Sequence, residues 1–104
     1  MKRFSIAQGY SPGFDTLGST DNSQGATLVV QPGTKTGGAD FRHSASDHWV
    51  YVIAGAGRAV VAGREAHLDA GTILLIEAGE THEITCIGDE PLVMFTVFSP
   101  PIPN

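Results

Sequence analysis

Of the four histidines in this chain, His43, His48 and His82 are spaced as if to meet. His43 and His48 flank residues 44–47, a small polar stretch suited to a hairpin turn. Their imidazoles are therefore expected close together across paired strands, where opposite Cβ atoms sit about 4.5–5.5 Å apart. His82 enters a strand just beyond a turn at Ala78 and Gly79 and is expected to join them from the facing sheet. Three neutral imidazoles converging in this way cap a divalent ion and leave positions open, which is what a catalytic transition-metal site needs. With no carboxylate among the ligands the ion keeps its full positive charge. The open positions then favour an anionic group such as an enolate, carboxylate or thiolate.

The elements that must carry these residues can be read from period-two alternation. In residues 71–86 an aliphatic, β-branched run reads as a buried strand, a glycine turn follows, and His82, Ile84 and Cys86 then share one strand face. Residues 48–54 form the most strand-like run of the chain, with His48, Val50 and Val52 on one side and Trp49, Tyr51 and Ile53 on the other. Val50, Ile84 and Cys86 are thereby expected to line the pocket below the imidazoles, and Phe41, on the face of His43, to wall it. Cys86 also fits a plain buried small hydrophobe. His67 alternates with Glu65 and Asp69 on the expected solvent side. Because 48–54 is apolar on both sides, its outer side must be covered by the N-terminal arm or by a second subunit.

Further strands are expected at 26–31, at 92–98, and at 58–61 and 64–68, which flank Ala62-Gly63 as a hairpin. Ala62 resists the positive φ of a type I′ turn, so another turn type or a bulge is expected there. Residues 3–6 read as a short edge strand, and 9–25, rich in Gly, Ser, Thr, Asp and Asn, as a wrapping loop. About eight short strands with turn signals every eight to twelve residues make a sandwich or small barrel, and helix is close to absent.

At 104 residues and 41% hydrophobic content the chain is expected to form one domain over 1–104: an arm and loop at 1–24, a barrel at 25–99 and a proline-rich tail at 100–104. The net charge of −5, with no basic cluster, argues against nucleic acid and anionic membrane as partners. Cys86 is the only cysteine, so no intrachain disulfide forms. No apolar run approaches the ~20 residues of a membrane span, and the start of the chain lacks a signal-peptide core. A cytoplasmic location is the expectation.

Gly71, Gly79 and His82 fall on the spacing of the second cupin motif, G-x(5)-P-x-G-x(2)-H-x(3)-N, with Glu77 in place of the proline and Cys86 in place of the asparagine. The first motif, G-x(5)-H-x-H-x(3,4)-E-x(6)-G, is present in worn form. Anchored on Gly55, it puts His48 at the glutamate, His43 at the second histidine and Phe41 at the first. A rival register anchored on Gly37, His43 and Gly57 makes the other ligands Ala45 and Val50. Over residues 25–98 the chain thus resembles a small single-domain cupin. The resemblance implies an all-β fold, an antiparallel jelly-roll β-barrel, with a divalent metal ion (Fe, Zn, Ni or Mn) inside it. It also favours a second subunit over the arm as the cover of 48–54, so that a homodimer is expected. It implies chemistry more loosely, because cupins do many things. One reading is a metal-dependent oxidoreductase, dioxygenase-like, acting on a small anionic metabolite through His43, His48 and His82. The alternative is a non-catalytic module that binds or senses a small ligand, with or without metal.

Overall fold

The computed structural model describes residues 1–7, 9–42 and 45–102, and of 39–42 the backbone alone. Among these residues nine strands follow one another: β1 (Gly13–Ser19), β2 (Gln24–Val30), β3 (Lys35–Arg42), β4 (Asp47–Ala54), β5 (Gly57–Val61), β6 (Arg64–Leu68), β7 (Ile73–Ile76), β8 (Thr81–Cys86) and β9 (Leu92–Ser99). They form two antiparallel sheets, ordered β1-β2-β9-β4-β7 and β3-β8-β5-β6. The all-β jelly roll is therefore as expected, and no helix among the described residues is long and apolar enough to cross a membrane.

Alternation decides which side chains meet between the sheets. β4 buries His48, Val50 and Val52, and β8 buries His82, Ile84 and Cys86. With Leu28, Leu68 and Met94 they fill the space between the layers. Each such aliphatic side chain contributes about 1.5–3 kcal/mol on leaving water.

Four local expectations are corrected. β3 and β4 do not pair as the hairpin expected around 44–47: β3 pairs with β8, whereas β4 pairs with β7 and β9, so the two strands belong to different sheets. Residues 13–19, expected as loop, form edge strand β1, which pairs with β2 and is bulged between Thr16 and Gly18. Residues 3–6, expected as an edge strand, have no strand pairing. Phe4 instead lays its ring against Gly18, where a Cβ would stand 2.7 Å from it. Between β5 and β6, Ala62 and Gly63 both take positive φ, 48° and 78°, so the two-residue turn has the I′ signs despite Ala62. The Ala62 N–H donates to the Thr81 carbonyl at 2.9 Å, a bond that helps to hold this conformation.

Candidate functional site

The site lies between the sheets, and each sheet supplies one histidine. His48, near the start of β4, sits opposite Ile76 on one side and Phe98 on the other. His82, second in β8, sits opposite Val61 of β5. Both are buried, at 3% and 4% exposure. Their ring centroids are 5.6 Å apart with planes inclined at 63°. Both face a cavity of about 210 Å³ whose other walls are Phe14, Leu28, Thr36, Ile84, Phe98 and Ile102.

The turn ahead of His82 is built from carboxylates that point away from this cavity. Gly79 takes a φ of 87° that a side chain would resist. The Glu80 carboxylate accepts the Glu77 N–H at 2.8 Å, and the Asp47 carboxylate accepts the Ala78 N–H at 3.0 Å. Glu77 is itself exposed, and Glu83 pairs with Lys35 at 3.5 Å. From the other side β3 approaches so closely that a Cβ on Gly37, at φ 84°, would run into the His82 carbonyl oxygen. The imidazole is thus fixed by its backbone on both flanks.

Burial pushes the pKa of His82 below its ordinary 6.5, and a hydrogen bond with the Glu80 backbone pulls partly the other way. The neutral imidazole, the form that ligates metals and accepts protons, is therefore favoured. The His48 ring stacks on Phe98 with centroids 4.1 Å apart and planes 20° from parallel, which fixes its plane. Phe98 in turn meets Phe14 edge-on at 5.9 Å.

Of the residues singled out from sequence, His48, His82 and Ile84 come together on this cavity. Val50 and Cys86 lie in the hydrophobic core. Cys86 directs its thiol to the Glu90 carbonyl at 3.2 Å. His67 is exposed on β6. His43 and the side chain of Phe41 fall outside the described residues. Sequence reasoning missed Phe14, Leu28, Thr36, Phe98 and Ile102. Leu28 and Phe98 alternate with outward neighbours on their strands and could have been found that way. Ile102 lies beyond the last strand and carried no such signal.

Among the described residues no group of three or more His, Cys, Asp or Glu is arranged around one point. The donors present, two buried imidazoles on one cavity, are nonetheless of the type that borderline transition metals take. The third donor expected from sequence, His43, lies outside the described residues.

The Cupin domain family matches residues 26–98, most of the chain. The chain belongs to the cupin family. Among solved structures, this cupin is similar to a Bacillus halodurans protein at a TM-score of 0.85 and 19% identity, over 99% of this chain and 85% of that one. A Thermus thermophilus protein matches at a TM-score of 0.84 and 20% identity, over 96% and 98% of the two chains. An oxalate decarboxylase of Lactobacillus farciminis, solved as a formate complex, matches at 0.70 and 29% identity, over 79% of this cupin but 25% of the larger enzyme. A comparison with curated proteins gives no sequence match.

Proposed function

We propose that this cupin takes up a small molecule between its sheets, at a divalent transition metal held by His48, His82 and His43. The observation that carries the reading is the burial of His48 and His82 on facing sheets, with rings 5.6 Å apart on one cavity. Imidazoles aimed from two sides into one apolar cavity are the donor type that such an ion takes. The ion would supply Lewis-acid polarisation and charge for an acidic oxygen of the bound molecule. The protein's own part is to hold the imidazoles in place, exclude water with apolar walls and present Thr36 as the one hydroxyl of the lining among the described residues. A dioxygenase-like oxidoreductase is the catalytic form of this reading. The likeness to an oxalate decarboxylase solved with formate supports the choice of an acidic small molecule.

A second reading, a cupin that holds a small ligand without turning it over, is favoured by the absence of a carboxylate from the cavity lining among the described residues. Elemental analysis of protein purified without a nickel column, on wild type, His48→Ala and His82→Ala, separates the two ideas of the site. Metal near one equivalent in wild type and lost in both variants is expected; metal kept undiminished in both would end the proposed ligand set. Oxygen uptake with iron(II) and a panel of enols and phenols then addresses turnover.

The same reading assigns the outer face of β4 and β7 to a second copy of the chain. Trp49, Tyr51, Ile73 and Leu75 are 48%, 45%, 65% and 40% exposed and adjoin across the two strands. Together they offer roughly 400 Å² of apolar surface, about half of the ~800 Å² each partner contributes to a standard interface. Small-angle scattering that gives a monomer mass would remove this assignment.

A further inference from the structure

One wall of the cavity comes from neither sheet. Ile102, past the end of β9, lines it beside Phe14 and Phe98. The Oε1 atom of Gln24 accepts the Ile102 N–H at 3.1 Å, and Nε2 of the same amide donates to Thr16 Oγ1 on β1 at 3.1 Å. Gln24 is only 6% exposed. A buried amide satisfied at both ends by two different segments fixes those segments against each other, because leaving either end unpaired costs about 1–3 kcal/mol. A second tie lies close by, where Ser99 Oγ donates to the Asn22 carbonyl at 3.0 Å. The segment after β9 is therefore a fastened part of the cavity.

The walls also carry a chemical preference. Among the described residues no Lys or Arg lines the cavity, and the polar groups they present to it are the Thr36 hydroxyl and the two imidazoles. Phe14 stands edge-on to Phe98 at 67°, and His48 stacks on that ring at 20°. Ring edges and faces presented at such angles suit a planar ring, since aromatic pairs gain most in offset or edge-to-face contact. An apolar cavity of about 150 Å³ elsewhere suffices for benzene, so the roughly 210 Å³ here holds one ring with a substituent.

We infer that Ile102, clamped by Gln24, closes the apolar end of a subsite for a single-ring aromatic molecule bearing one acidic oxygen. The ring lies among Phe14, Phe98 and Ile102, and the oxygen is turned towards His48 and His82. This deepens the functional reading above and rests on it for the oxygen end alone. Ile102 is a specificity-determining residue and Gln24 a positioning residue that acts through it.

The test is a calorimetric titration of the full chain, stripped of metal by chelation, with phenol as the probe and formate as its ringless counterpart. Wild type is expected to bind phenol at least ten times more tightly than formate. Ile102→Trp, which fills the ring position, should weaken phenol at least tenfold. Gln24→Met, which keeps the length but cannot accept the Ile102 N–H, should weaken it several-fold. Melting curves on both variants check folding, and Ile102→Ala, expected to weaken phenol a few-fold, stands in should the larger residue unfold the chain. Failure to bind phenol, formate bound as tightly as phenol, or folded variants that bind phenol like wild type would each overturn the inference. Metal content is measured separately. A chain that carries no metal as purified and takes none up when iron(II) or zinc is added, yet binds phenol when stripped, sinks the metal reading and spares the subsite. Metal held without phenol binding does the reverse.

Discussion

The two sides of β4 make the most informative comparison in this molecule. His48, Val50 and Val52 point inward and are buried, while Trp49 and Tyr51 of the same strand point outward and remain nearly half exposed. The inner side adjoins Phe98 and Ile76, and the outer side adjoins Val97, Phe95, Ile73 and Leu75. Both sides are apolar, so composition does not separate them. Enclosure does. The inner surface is curved around about 210 Å³ and carries two imidazoles, which suits a small molecule. The outer surface is an open sheet face, which suits a second flat surface. Part of it is already covered, since Phe4, Ile6 and Leu17 gather with Tyr51, Ile53 and Phe95 around a shallow depression.

Substitutions can break or sharpen this contrast. The largest effect is expected at Phe98, where Phe98→Ala removes the ring stacked on His48 and should cost about 3–5 kcal/mol in denaturant unfolding. A cost under about 1 kcal/mol would mean that the inner side is no better packed than the outer. Gly37→Ala should follow, at about 2 kcal/mol or more, because the new methyl needs both an unfavourable φ and the space of the His82 carbonyl. It should also shift the imidazole resonances of His82 in NMR spectra, and an unperturbed spectrum would show that β3 does not hold that histidine.

A gain is expected at Thr27, whose hydroxyl is buried under the outer face with no hydrogen-bond partner among the described residues. Thr27→Val should add about 1 kcal/mol, and a loss would indicate a bond or water there. A smaller effect is expected from pH on the metal-free protein. His82 titrates below 6.5 when folded, so on acidification the unfolded chain takes its proton first. Its contribution to stability is whole above pH 6.5, falls as pH drops towards the folded value and levels off below it. His82→Gln should remove that slope, and an identical profile in the variant would place the titration elsewhere. Smallest of all is Trp49→Ser, expected to change stability of the monomer by no more than about 0.5 kcal/mol while weakening self-association measured by sedimentation.

Much of this was legible in residue order. The alternation through residues 48–54 and 81–86 puts His48 and His82 inside, and the glycine-spaced motif around His82 by itself points to the family. What could not be read depends on partners remote in sequence. Residues 13–19 contain two glycines, an aspartate and a serine, a turn-like composition, and become a strand only because β2 offers an edge. Nothing local distinguishes a hairpin after β3 from a crossing to the other sheet; the pairing of β3 with β8 decides it. Ala62 adopts a positive φ because the two-residue span between Val61 and Arg64 requires it, against its own preference. Ile102 was out of reach for the same kind of reason, since its place depends on an amide 78 residues earlier.

That each sheet contributes one imidazole has a practical corollary. Any compound that touches both His48 and His82 rivets the two halves of the sandwich, and the folded form alone offers that pair of contacts. Occupancy is then written into the melting temperature. A compound present at a hundredfold excess over its Kd stabilises by about 2.7 kcal/mol, on the order of 10 °C for a chain of this length. The protein can serve as its own detector, and a thermal-shift screen of small acids and phenols, with and without added metal, would find its ligand without any prior assay of turnover.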